Sequence, residues 1–490
     1  MDKTKTSEDL DFRLCTYYIA AISLVIFCIG ITDWKYGVIG DEFPYYDYAV
    51  GISRQDLLFN PFYLYGVYGL ERTLGSYWQA IFLRFIGENL VAWRLANALL
   101  IFPAVVFFSH ALKILFNKRV ALIGASLLGT SYFLINFFKI GYTHPSCFLF
   151  FIISFYACVK AIFMGKKVDF ALFGCALGFS FYLYAGPIFP LLYFPLLLLI
   201  RRNSFHHDII KYVFFFLCYL AVIAIGFTTT PSVHWTGGAS KTILNKEFTD
   251  NFQILVNIGR NFLLFFTDFD YSHNHYVKGA YLDTISQLFA TLGIGYSFWN
   301  IRNKSFFILL WLWIATCVVL GGINPYWYTP STRGMFFIPF GVCFSAVGIN
   351  TIASRINLSK ALLILLITVI GYLNLYRAWV GVFLETGYDE RTQIFKYLRD
   401  SMAEGNNITL FISEEINFDP IAMKSIMRIY NLDSCSLRYV RKIEEVCTES
   451  TTKQILILKY DPKLSDIRNI ECISNGTSQL IEIGSFVPAS

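Results

Sequence analysis

Long apolar runs recur along this chain from Leu14 to Val382, and they leave it few ways to fold. A helix of about 20 apolar residues crosses the hydrocarbon core of a bilayer. The runs fall near residues 14–32, 91–112, 120–138, 144–164, 168–185, 187–200, 210–228, 281–300, 305–322, 334–352 and 361–382. That predicts a polytopic α-helical membrane protein of about eleven transmembrane helices. The sixth run, after "YAGPIFP", is the shortest. Composition agrees: 56% of residues are hydrophobic and only 15% charged, where a soluble chain carries about a quarter.

The connections alternate in charge. Lys3, Lys5 and Arg13 precede the first run, and "KILFNKR", "MGKK", "RRNSFHHDIIK", "IRNK" and "SRINLSK" supply the other basic segments. By the positive-inside rule these face the cytoplasm. The segments between them then face outward, including the long loops 33–90 and 229–280. An odd number of spans places the tail outside as well. The net charge of +6 is thereby a topology signal, and no nucleic-acid partner is expected. The amino-terminal run lacks a small-residue cleavage site and reads as a retained first helix.

Residues 1–384 form the expected membrane domain. The tail, 385–490, is polar and carries short alternating segments, which predicts a small soluble α/β domain outside the cytoplasm. Helical periodicity marks 391–402 and 420–432, and strands are expected at 408–413, 454–460 and 479–484. Eight of the 11 cysteines lie in the membrane part and read as small packing residues. Cys435, Cys447 and Cys472 lie in the tail, and their pairing cannot be deduced from spacing.

The first outward loop carries "GDEFPYYDYAVG" just beyond the first span, then "NPFYLYG", then "WRLANALL" entering the second. An acidic pair in a loop is commonly no more than solvated surface. Here Asp41 and Glu42 follow Gly40 in an aromatic stretch, at a depth fixed by the preceding helix. The order of these motifs resembles the GT-C fold glycosyltransferases that use lipid phosphosugars, the branch of protein O-mannosyltransferases and lipid A aminoarabinose transferases. "STRGMFFIPF" (331–340) is similar to that group's Arg-aromatic pattern entering a late span, with Gly334 where an aromatic is common. "NPFYL" departs from the usual double proline, and His144 stands where a second acidic residue is common.

The resemblance implies an inverting transfer of one sugar from a polyprenyl-phosphate donor to an acceptor hydroxyl at the outer face of the inner or plasma membrane. The acceptor class stays open among glycan, lipid and protein. Such a reaction needs a base for the acceptor proton and a cation for the departing phosphate. Asp41 is the expected base, with Glu42 the second candidate. Arg333 is the first candidate for the phosphate because its donors are planar and always charged; interfacial snorkelling is its plainer reading. His144, Arg94 and Tyr45 are further candidate substrate-binding residues, Arg94 with packing as the stronger alternative.

No cofactor is called for. A divalent metal stays open, because His234, His273 and His275 ("HNH") lie in the second long outward loop, without a third ligand at metal-site spacing. Two other functions fit a polytopic chain with large outward loops. A transporter or flippase would place ionisable groups near the midplane, whereas these spans are nearly free of charge. An O-antigen polymerase or ligase would carry its key residues in a late loop.

Overall fold

The computed structural model describes residues 3–32, 42–55, 60–67, 72–201, 205–230, 251–266, 280–322 and 331–381, and five strands between 408 and 485. The segment 33–90, expected as an outward loop, contains helix among its described residues. After α1 (Lys3–Cys28) come two short helices, α2 (Glu42–Arg54) and α3 (Leu74–Ile86), packed on each other. Arg54 fastens them with a two-toothed bond to Glu88, at 2.7 and 2.5 Å. Next follow α4 (Leu90–Ala98), α5 (Ile101–Leu115), α6 (Lys118–Gly129), α7 (Tyr132–Phe137) and α8 (His144–Met164). Asparagine side chains at 89 and 117 cap α4 and α6, each accepting an amide hydrogen at 2.9 Å.

The remaining helices are α9 (Lys167–Ser180), α10 (Phe189–Arg201), α11 (Phe205–Thr229), α12 (Asn251–Leu263), α13 (Thr284–Trp299), α14 (Lys304–Gly322), α15 (Ile338–Arg355) and α16 (Lys360–Tyr376). Each of the eleven apolar runs thus contains helix. Among the described residues seven helices are long and apolar enough to cross a membrane: Asp9–Cys28, Leu90–Leu115, His144–Met164, Asp208–Thr229, Lys304–Gly322, Thr332–Arg355 and Lys360–Trp379. Gly186–Ile200 is apolar but shorter. The chain is a multi-pass membrane protein.

Two details differ from expectation. The run at 120–138 is broken between α6 and α7, where Thr130 and Ser131 interrupt the apolar sequence. The segment 229–280, expected as an outward loop, contains α12, which packs on α14: Asn261 Nδ2 donates to Cys317 O at 3.1 Å. Elsewhere small residues let helices close up. A side chain at Gly293 or Gly348 would strike the backbone carbonyls of Phe344 or Phe289, so α13 and α15 approach at these two glycines.

In the tail, β1 (Ile408–Ser413), β2 (Ser436–Val440), β3 (Lys453–Leu458), β4 (Arg468–Ser474) and β5 (Thr477–Ser485) form one sheet in the order β2-β1-β3-β5-β4. All neighbours are parallel except β4 and β5. Three strands were expected; β2 and β4 were not. The pairing of Ser474 with Thr477 leaves only Asn475 and Gly476 between β4 and β5, a strong two-residue hairpin signal. The expected helices 391–402 and 420–432 lie outside the described residues, as do Cys435 and Cys447.

Candidate active site

α8 begins at His144 and ends beside the basic "MGKK", so His144 lies at the end of the bundle away from that basic turn. The ring is only 2% exposed and is enclosed by aromatics. Its centroid lies 4.1 Å from that of Tyr184, 5.2 Å from Tyr142, and 6.2 Å from both Tyr45 and Phe137. Tyr45 reaches in from α2 and meets Tyr142 edge-on at 5.1 Å. Neither ring nitrogen of His144 has a hydrogen-bond partner among the described residues. A buried polar group without a partner is costly, and His144 leaves two such atoms open in one ring.

Arg333 sits in the helical turn Ser331–Gly334 that leads into α15, and its charge acts on His144. Two residues far apart in sequence are thereby linked electrostatically, and Tyr45 shares the pocket of His144. The neighbouring Gly334 has a steric cause: a Cβ there would overlap the phenol oxygen of Tyr281. Tyr281 is fully buried against Phe133, with ring centroids 4.5 Å apart. It fills the room that an aromatic at position 334 would need. Gly334→Ala is therefore expected to destabilise the protein by about 1–3 kcal/mol through overpacking. Tyr281→Ala in the same chain should relieve much of that cost, as read by thermal melting of the two single variants and the double. Strictly additive losses would show that the two positions do not compete for space.

The turn before His144, "KIGYT", is held by two amides. Asn97 Nδ2 donates to the carbonyls of Ile140 and Tyr142, both at 2.8 Å. Gln79 Nε2 donates to Gly141 O at 2.8 Å and to Asn97 Oδ1 at 3.2 Å. Gly141 lies under the indole of Trp93, with no room for a side chain. Asn97→Leu keeps the branching at Cγ but strips a hydrogen bond from each of two buried carbonyls, a loss of about 1–3 kcal/mol at a carbonyl left orphaned; Tyr142 O keeps a longer bond from Gln79 Nε2 at 3.4 Å. The expected result is a lower melting temperature and a displaced His144. An unchanged melting curve would show that the turn holds itself.

Arg94 is fully buried in α4, and its Nη1 donates to Ile31 O at 3.2 Å. It thus grips the chain where α1 ends, ahead of the acidic pair. Asp41 itself lies outside the described residues, and of Glu42 only the backbone is described, as the first residue of α2. "NPFYLYG" docks just beyond the ends of α9 and α11: Leu64 N donates to Thr230 Oγ1 at 3.2 Å, and Phe62 packs edge-on against Tyr182 at 5.0 Å.

Gln79, Asn97 and Tyr184 are the site residues that sequence reasoning passed over. Asn97 stood inside the quoted "WRLANALL", but only the folded chain shows that it reaches the 140–142 turn. Arg72 was also missed: Nη1 donates to Phe181 O at 3.0 Å, and its guanidinium lies 4.0 Å over that ring. Burial pulls its pKa down to about 10, so it stays charged at neutral pH. Among the described residues no three His, Cys, Asp or Glu side chains converge as metal ligands; His234, His273 and His275 lie outside them.

This arrangement can be set against known proteins. ArnT from Cupriavidus metallidurans, in a structure bound to undecaprenyl phosphate, matches with a TM-score of 0.55 at 10% identity, over 95% of this chain and 97% of that one. The chain has the GT-C fold. The oligosaccharyltransferase of Archaeoglobus fulgidus in its apo form shares that GT-C fold more distantly, with a TM-score of 0.50, 14% identity and 86% of this chain covered. This chain spans about three fifths of the archaeal chain's length, 64% in that comparison. Residues 73–228 match the model of the dolichyl-phosphate-mannose-protein mannosyltransferase family. That stretch of the GT-C fold includes Gln79, Arg94, Asn97 and His144, and leaves Asp41, Glu42, Tyr45 and Arg333 outside. No curated protein matches the sequence.

Proposed function

We propose that this chain is an integral-membrane glycosyltransferase. It moves a single sugar from a polyprenyl monophosphate to an acceptor hydroxyl, at the outer face of the inner or plasma membrane. The observation that supports this reading is the buried, aromatic-lined His144, with Tyr45 6.2 Å away and the charge of Arg333 acting on it, on a fold that ArnT shares almost end to end.

The chemistry follows from the parts. The lipid tail confines the donor's anomeric carbon to the membrane boundary. Asp41 takes the proton of the acceptor hydroxyl as its oxygen attacks that carbon from the side opposite the phosphate. The bond from the anomeric carbon to the phosphate oxygen breaks, the electron pair leaves with the phosphate, and a single displacement inverts the centre. Arg333 stabilises the charge gathering on the leaving phosphate. Tyr45 follows Asp41 by four residue steps, so their Cα atoms lie within about 14 Å of each other by chain length alone. Glu42 orients the site or binds a sugar hydroxyl, and His144 offers its free nitrogens to donor or acceptor. Arg94 acts at one remove, fixing the segment that delivers the acidic pair.

The direct test is a reconstituted reaction with purified protein, labelled polyprenyl-phosphate sugars and membrane extract as acceptor source. Transfer of label with release of polyprenyl phosphate supports the reading. Movement of intact glycolipid across vesicles without bond cleavage would replace it with a flippase.

Residues 385–490 are proposed to form one α/β domain on the outer side, supported by the mostly parallel sheet and the alternating basic loops. A cysteine introduced at Ser465 should react with an impermeant reagent on intact cells. Labelling only after lysis would reverse the topology.

A further inference from the structure

The bundle's other end carries a second feature. There α1, α6 and α16 enclose a groove of about 1000 Å³, with Lys118, Arg119 and Lys360 among its lining residues. All three belong to the first turns of α6 and α16, and the capping side chains of Asn117 and Ser359 precede them. Both helices therefore also point their positive N-terminal ends at this level. The acid nearby is Asp9, 3.4 Å from Lys118 and 3.0 Å from Lys113, so it is shared by two lysines. Arg119 and Lys360 have no acidic partner among the described residues.

Beyond the cations the groove turns apolar, along Tyr18 and Ile19 of α1, Leu122 and Ile123 of α6, and Leu363, Ile364 and Ile367 of α16. Its two deeper hydroxyls do not change that character. Ser126 donates to Leu122 O at 3.0 Å and Thr368 to Ile364 O at 2.9 Å, each turned back onto its own helix. From Lys360 to Thr368 the helix rises about 12 Å, which sets the depth of the slot. Tyr18, Ile22, Leu362, Ile364 and Leu365 are exposed on the bundle surface around it, so the slot opens sideways to lipid.

We propose that this groove binds one anionic diacyl phospholipid, with its phosphate at Arg119 and Lys360 and an acyl chain between α1, α6 and α16. Charge complementarity selects the occupant: unpaired cations over an apolar slot fit an anionic head group on a hydrocarbon chain. The site lies at the end of α8 and α6 remote from His144, and it does not rest on the proposed reaction.

Native mass spectrometry of the full chain in mild detergent tests this, with phosphatidylglycerol and phosphatidylcholine offered in equal amounts. The unmodified protein should retain one phosphatidylglycerol in preference to phosphatidylcholine by on the order of tenfold. Arg119→Gln with Lys360→Gln should remove the preference, and Ile364→Trp, which fills the slot and keeps the cations, should lower retention of both lipids. Equal retention of the two lipids by the unmodified protein would overturn the proposal. So would a preference that survives in both variants, or displacement of phosphatidylglycerol by an equal amount of undecaprenyl phosphate.

Discussion

Asp41→Asn is expected to lower sugar transfer by about 10²–10⁴-fold, the usual contribution of a general base. The substitution keeps size and hydrogen-bonding capacity, but an amide does not accept the acceptor's proton at neutral pH. Folding and donor binding should survive, because the loss falls on the transition state. Glu42→Gln should cost less, since adjacent residues point in different directions and one of the pair faces the reacting centre. The measurement is transfer of labelled sugar by the two purified variants and the unmodified protein, with donor binding followed in parallel. Near-normal transfer by Asp41→Asn beside an inactive Glu42→Gln would move the base one residue along. Near-normal transfer by both would return the pair to solvated loop.

Arg333→Ala is the second large effect, a loss of about 10²–10³ in turnover, typical of removing one donor aimed at developing charge. Arg333→Lys separates charge from shape. It keeps the cation, loses the planar fork, and should recover only part of the activity. The charge of Arg333 acts on His144, whose ring nitrogens are buried without partners among the described residues. His144→Phe should therefore weaken donor or acceptor binding while leaving the guanidinium in place. If Arg333→Ala leaves both donor affinity and turnover unchanged, the phosphate is held elsewhere, with Arg260 and Lys278 the next outward cations to replace.

What the sequence made legible follows from what hydropathy reports. Apolar runs mark surface withdrawn from water, so every stretch they predicted contains helix, and α8 coincides with the run at 144–164. The same logic missed α12. Its sequence, "NFQILVNIGRNFL", is apolar on one face only, because the helix packs sideways on α14. In the tail, β2 and β4 carry Arg438, Arg468 and Glu471 within their runs, which hid them as strands.

The site was legible in its charged members and not in its supports. Arg333 and His144 stand out against apolar surroundings, whereas Gln79, in the segment before the second run, and Asn97, within that run, look like ordinary polar residues. Their role comes from contact with the 140–142 carbonyls more than forty residues away. Gly334 shows the same limit. Its departure from the resembled pattern was visible, but the reason is Tyr281, a ring supplied by a distant segment.

The most direct measurement of the central claim is a mass-spectrometric inventory of polyprenyl-phosphate sugars and surface glycans. It compares cells that carry the protein, cells that lack it, and cells that carry only Asp41→Asn. A lipid-phosphosugar transferase predicts that one polyprenyl monophosphate sugar accumulates and one glycan substituent disappears when the protein is lost. Asp41→Asn should reproduce both changes although the protein is present in the membrane. Donor pools and surface glycans that stay the same in all three would contradict it.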